Sequence, residues 1–182
     1  MSDPLEEQWR PDQVAVVHAL QTWAVAHTET LQHLGRWTGL PTSDAGALAH
    51  VVWAAQDGAP ISPAQLARRI GMTSGATTLL VDRLERAGLV HRSRESTDRR
   101  RVALRPSDRA RELTRSFSAF AGQEVAAAVR SATHEELAVV TAFVQRMASA
   151  LDAGSERLAR DERTSARTRT TAAGTTGGTA AG

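Results

Sequence analysis

Apolar residues in this chain recur at helical spacing, except in one stretch where the period changes. From about Pro11 to Thr38, at roughly 100° per residue, Val16, Val17, Leu20, Trp23, Ala24, His27, Leu31 and Leu34 fall on one broad arc. A second helix is predicted after Pro41-Thr42-Ser43, running to about Asp57 and stopped by Gly58. Leu48, Val51, Val52 and Ala55 form one face of it. His50 and Trp53 lie roughly opposite, among Gly46, Ala49 and Ala54. A helix apolar on both sides is expected to be buried on both sides, which sets this one between two packing layers.

Between Ile61 and Arg105 the pattern shortens and then alternates. Ser62, Pro63 and Gln65 carry the signals of a helix start: a cap, a first-turn proline and a capping-box partner. Leu66, Ala67 and Ile70 give that helix its apolar face, and Gly71 ends it where a left-handed residue is needed. The next helix runs from Thr73 or Ser74 to Ala87, with Gly88 as its stop. Leu80, Leu84 and Ala87 are expected to face inward, with Leu79 flanking them. Leu89-Val90-His91-Arg92 and Arg101-Val102-Ala103-Leu104 then read as two strands around a polar loop, residues 93–100, that carries Arg94, Arg99 and Arg100. Two short helices followed by a hairpin make a winged helix-turn-helix.

Helical spacing resumes after the hairpin. One helix is predicted from Ser107 to about Ala132, carrying Leu113, Phe117, Phe120, Ala121 and Val125. Another begins at Thr133, with Glu136 three residues on as a second capping box. Its Leu137, Val140, Val144, Met147 and Leu151 step by three and four, as in a coiled-coil seam. The seam can cap a monomeric core or meet a second copy of the chain. The second is favoured, because the winged helix can already form a core of its own. From 158 to 182 the chain turns to Thr, Ala, Gly, Arg and Ser, a composition expected to stay disordered. The expected organisation is a dimerisation helix at 1–40, a winged helix at 41–106, dimerisation helices at 107–157 and a tail at 158–182. The fold class is mainly α with a small β-wing.

Charge sharpens this picture. All 22 basic residues of the 182 are arginine, and the formal net charge is +2. Residues 1–61 hold two arginines and seven acids, and residues 112–182 hold eight of each. Residues 62–111 hold twelve arginines and five acids, a net +7 confined to the winged helix. That is the footprint of a phosphate-binding surface. There is no cysteine, which excludes disulfides and thiolate metal sites within this chain. No two of the six histidines have the i, i+4 spacing of a helical metal site. Nucleophile motifs and phosphate-binding loops are absent, so neither an enzyme nor a cofactor is expected. No apolar run approaches membrane-spanning length and the opening MSDPLEEQWR lacks an apolar signal core, which makes the cytoplasm the expected location.

Double-stranded DNA is the partner this pattern predicts. Thr73, Ser74, Thr77 and Thr78 are short polar side chains at the start of the second helix, suited to a close approach to the major groove. Thr73 and Ser74 can equally serve only as caps. Arg83 is expected on phosphate. Arg94, Arg99 and Arg100 suit a narrow minor groove, or else form a solvated charged turn with Asp98. A winged helix used only for protein contacts is the alternative reading, and the wing arginines argue against it. Trp23, His27, His50 and Trp53 would line an aromatic pocket for a planar acid or phenol if the first two helices bring their faces together. Ordinary interface packing accounts for the same four residues.

The order of elements resembles the MarR (multiple antibiotic resistance regulator) family of bacterial transcription factors, over roughly residues 10–155. The motifs that carry the resemblance are Leu66-Ala67-Arg68-Arg69-Ile70-Gly71, Thr73-Ser74-Gly75-Ala76-Thr77, Asp82-Arg83-Leu84-Glu85-Arg86-Ala87-Gly88-Leu89-Val90 and Asp98-Arg99-Arg100-Arg101. The resemblance implies an intertwined homodimer on a palindromic operator, with the first and last two helices at the interface. It also implies a small aromatic or anionic effector, and hence a ligand-responsive repressor. The chain departs from the family pattern after the wing, where Pro106, Ser107 and Ala110 replace a Leu-Thr pair and a following glycine.

Overall fold

The computed structural model describes residues 9–94 and 102–175, and of residues 162–163 and 165–175 the backbone alone. The chain divides into two compact units, Met1–Gln123 and Glu124–Gly182.

In the first unit, α1 (Pro11–Thr38) and α2 (Thr42–Gln56) match the predicted spans closely. The winged helix follows as α3 (Pro63–Ile70), α4 (Ser74–Arg86), β1 (Val90–Arg94) and β2 (Val102–Pro106). Ser62 caps α3 as its sequence requires. Its Oγ accepts from the Gln65 N–H at 3.2 Å, and the Gln65 side chain accepts from the Ser62 N–H at 2.7 Å. Gly71 closes the helix at φ +65°, a conformation that costs other residues a clash at Cβ. The strands pair antiparallel, with Val90 opposite Pro106 and Arg94 opposite Val102. The Leu104 N–H also donates to the Ile61 carbonyl at 2.8 Å, which ties the wing root to the segment entering α3.

One core joins these elements. Leu48, Val51 and Val52 of α2 pack with Leu66 of α3, Leu80, Val81 and Leu84 of α4, Leu89 and Val90 at β1, and Leu104 of β2. The opposite face of α2, expected to be buried as well, is not closed: Trp53 is exposed and His50 half-buried. A second cluster takes its Ala45 together with Leu34 of α1 and Phe117 of α5 (Asp108–Ala121). By contrast α1 buries only Leu34 and Gly35. Val14, Val16, Trp23 and Val25 remain exposed along it.

The sequence predicts one helix from Ser107 to Ala132, and the structure breaks it at Gly122. A Cβ there would stand 2.6 Å from the Ser118 carbonyl oxygen, so the chain turns where no side chain obstructs it. The helix resumes as α6 (Gln123–Ser131).

The second unit continues from α6 into α7 (His134–Thr175). The predicted capping box forms, with the Thr133 N–H on Glu136 at 2.7 Å and the Glu136 N–H on Thr133 Oγ1 at 3.2 Å. The Thr133 N–H and, after it, the Thr133 hydroxyl donate to the Glu136 carboxylate and hold it below its ordinary pKa. Past 158 the structure keeps α7 helical as far as Thr175, where the composition predicts disorder. Ala, Arg and Glu are good helix formers, and no proline interrupts the run. No helix among the described residues is long and apolar enough to cross a membrane.

Candidate nucleic-acid interface

The N-terminus of α4 is built from Thr73 outward. The Thr73 Oγ1 accepts from the Ala76 N–H at 3.3 Å, so Thr73 is the helix cap. Ser74 is exposed beside it. The inner face of α4 is Thr77, Leu80, Val81 and Leu84, each at most 1% exposed. This corrects the expected orientation at two positions. Ala87 faces solvent rather than the core, and Thr77 faces the core rather than a groove, while Leu79, expected to flank the inner face, is exposed. Thr77 donates its hydroxyl to the Thr73 carbonyl at 2.9 Å, so both its burial and its proton are committed within the protein. The reason is periodic: Thr77 lies three and four residues before Leu80 and Val81, and a hydroxyl that can bond back to its own helix tolerates that inner stripe. Thr78 is exposed as expected, though its hydroxyl likewise donates to the Ser74 carbonyl, at 2.9 Å.

Arg83, expected on phosphate, is held from inside the protein. Its Nε and Nη2 reach the two carboxylate oxygens of Asp44, at 2.8 and 2.7 Å. Asp44 sits in the first turn of α2 with its side chain 1% exposed. The guanidinium holds the Asp44 carboxyl below its ordinary pKa, with help from a Ser43 hydroxyl bond, and the pairing raises that of Arg83. A two-point fork of this kind orients the arginine as well as neutralising the acid. Sequence reasoning missed Asp44. Its only signal was a lone acid in a stretch that otherwise reads as buried.

A second cluster fixes the wing. The Arg92 N–H donates to Glu85 at 2.8 Å, its guanidinium also pairs with Glu85, and its Nη2 meets Asp82 at 2.7 Å. Asp82 and Glu85 are one helical turn apart on α4, and Arg92 is the third residue of β1. The root of the hairpin is thereby clamped to α4. The two acids were visible in the DRLER motif, but their partner seven residues beyond Glu85 lay across a turn that periodicity does not span. Arg94 stands exposed at the end of β1. Arg99 and Arg100, with Asp98, lie outside the described residues. Arg68, Arg69, Arg86, Arg105 and Arg109 are exposed as well, so the winged helix presents guanidinium groups from α3, α4, β2 and α5.

Of the four residues expected to line a ligand pocket, Trp23 and His27 stack on α1, with ring centroids 5.1 Å apart and planes within 5°. His50 is half-buried. Burial, together with the nearby Arg69 and His27, holds its imidazole below the ordinary histidine pKa. His27 and His50 are therefore brought within electrostatic reach of each other. Trp53 is 58% exposed. The structure also shows an open groove of about 470 Å³ at the α1–α2 turn, lined by Gln32, Gly35, Arg36, Leu40, Pro41 and Thr42, with none of the four expected residues along it. A further aromatic group was not foreseen. Trp37 meets Phe117 edge-on at 6.0 Å and stacks with Phe120 at 5.8 Å.

Two helices at the helix-turn-helix position, a two-stranded wing and an arginine-studded outer surface define a winged helix-turn-helix domain. Residues 48–102 match the model of the MarR family. The chain is 32% identical over 99 residues to the HTH-type transcriptional regulator YcgE of Bacillus subtilis, a match covering 54% of this chain and 64% of that protein. It thus spans slightly less than two thirds of that relative. Among solved structures it resembles Staphylococcus aureus MepR in its DNA-binding conformation, with a TM-score of 0.60, 17% identity, and 75% and 98% of the two chains covered. It also resembles the transcriptional regulator BldR of Sulfolobus solfataricus, with a TM-score of 0.53, 24% identity, and 77% and 99% covered. At these identities the structural likeness establishes the shared fold.

Proposed function

We propose that the protein is a homodimeric, sequence-specific DNA-binding regulator that represses transcription and is released by a small aromatic or anionic ligand. The observation that carries this reading is the arginine surface. The net +7 of residues 62–111 falls on a winged helix whose α4 N-terminus stands exposed. On this reading the backbone N–H groups at the start of α4 and the exposed Ser74 meet phosphate and base edges, and Arg94, Arg99 and Arg100 are the residues assigned to the adjacent minor groove. Arg83 acts one step back, holding α4 against Asp44 of α2. The relative YcgE is a transcriptional regulator by name, and a solved structure of MepR is a complex with DNA.

Two half-sites one turn of DNA apart require two linked readers. The uncovered apolar residues of α1 and, separately, the seam of α7 are each available to a second copy. Trp23, His27, His50 and Trp53 are the residues assigned to the ligand. A His50 imidazole kept neutral can donate one hydrogen bond and accept another, which suits a phenol or a carboxylic acid. Binding of the full-length protein to a randomised duplex library, followed at two salt concentrations, tests the reading. Enrichment of a palindrome, with affinity that falls steeply as salt rises, is the expected outcome. Salt-independent binding, or no preference among sequences, would refute it.

A further inference from the structure

Leu79 is the one large apolar side chain left exposed between Ile61 and Pro106 among the described residues, at 63%. A single exposed leucine usually requires no explanation, but its surroundings here are specific. Gly75 lies one turn before it, and open space surrounds the point where a Cβ would stand. Thr78, beside it, has its hydroxyl proton turned back to Ser74. Asp82, next along the same strip, is taken by Arg92. At 3.6 residues per turn, Gly75, Thr78, Leu79, Asp82 and Arg86 share one face. That face is small and apolar at its centre, with a cationic end at the exposed Arg86.

We infer that Leu79 reads thymine, its isobutyl group packing against the C5-methyl of one thymine per half-site in the major groove. Thymine alone presents a methyl there; cytosine in the same position presents an amino group and no methyl. Discrimination by α4 then comes from an apolar contact more than from threonine hydroxyls, of which one is buried and the other is bonded to its own helix. The inference rests on the DNA-binding reading above. The net +7 of residues 62–111, the segment that carries Leu79, selects a duplex over a protein partner as what covers it.

The test starts from a duplex enriched by the full-length wild-type protein out of a randomised library. Each thymine is then replaced in turn by deoxyuridine, which removes the methyl and preserves the pairing. At one thymine per half-site the wild type is expected to lose about fourfold in affinity, the effect of one buried methyl. Leu79→Ala should bind the thymine and deoxyuridine duplexes equally, with an unchanged salt slope and an unchanged melting temperature. Indifference of the wild type to every replacement would overturn the inference. So would a deoxyuridine penalty that persists in Leu79→Ala. A change in oligomeric mass in the variant, read by light scattering, would assign Leu79 to a protein contact instead. If the wild type enriches no sequence, the regulator reading itself falls and takes this inference with it, an outcome seen before any deoxyuridine is introduced.

Discussion

α4 and α7 are both amphipathic helices, yet they solve the problem of their apolar stripe in opposite ways. In α4 the stripe of Thr77, Leu80, Val81 and Leu84 is closed off from water by α2, α3 and the wing. In α7 the stripe stays open: Leu137 is 38% exposed, Val144 44% and Leu151 69%, and no described residue of that helix is buried. Burying a Leu or Val side chain is worth roughly 1.5–3 kcal/mol, so an open stripe several turns long represents stabilisation still to be gained. The winged helix is finished by its own chain. The long terminal helix is finished only by another surface, and the proposed dimer supplies one.

The sharpest way to break this contrast is to charge the open stripe. Val144→Asp with Leu151→Asp should turn a dimer into a monomer by light scattering and weaken binding to a two-half-site duplex by about 10²–10⁴-fold, the gain that linked sites provide. The same pair of changes should leave the fold of the winged helix unchanged. A variant with the wild-type mass and affinity would show that the stripe of α7 covers nothing in solution.

The closed stripe should respond in the other currency. Leu84→Ala opens a cavity in the core that joins α2, α3 and α4, and should cost about 2–5 kcal/mol in a denaturant titration. A loss below about 1 kcal/mol would mean that the winged helix depends on the dimer for its stability.

Asp44 tests how α4 is anchored to α2. Asp44→Asn removes the charge from a buried two-point pair and should cost about 1–3 kcal/mol at neutral pH. The pairing depresses the folded pKa of Asp44 below its unfolded value. Its contribution is therefore fully present above the unfolded value and lost as pH falls through the folded one. Wild type and Asp44→Asn should differ most above the unfolded carboxyl value of about 4 and converge as the pH falls below it. A difference that stays constant with pH would show that the pair contributes by packing alone.

The smallest expected effect is at Thr77. Thr77→Val keeps the shape inside the core and removes one hydrogen bond to the helix, a cost of about 1 kcal/mol. Library selection should return the same preferred sequence as the wild type. A changed preference would place Thr77 at the groove after all.

The two stripes also explain what could be read in advance. Helix existence, the two capping boxes, the glycine stops and the hairpin follow from local chemistry, and α1 to α4 and the strands lie within a few residues of where periodicity sets them. The rotation of α4 about its axis does not follow locally. Thr77 takes an inward place expected for Ala87, because a hydroxyl satisfied by its own helix can be buried. Ion pairs that cross a turn or join α2 to α4 depend on tertiary placement, so Asp44 and the partner of Asp82 and Glu85 were invisible. The break at Gly122 was equally hidden, since its cause is a carbonyl four residues earlier that no hydrophobic pattern records.

The Arg92 clamp has a consequence for how such a molecule can be controlled. Its backbone and guanidinium hold β1 to two acids one turn apart on α4, and the Leu104 bond holds β2 to the segment before α3. Reader helix and wing root therefore share their degrees of freedom and move as a single rigid lever. On the proposed reading, a signal arriving from elsewhere in the protein does not retune the letters that lever reads; it swings the whole lever toward the duplex or away from it. In the proposed dimer, control becomes a matter of register between two such levers, and the vocabulary of each stays fixed.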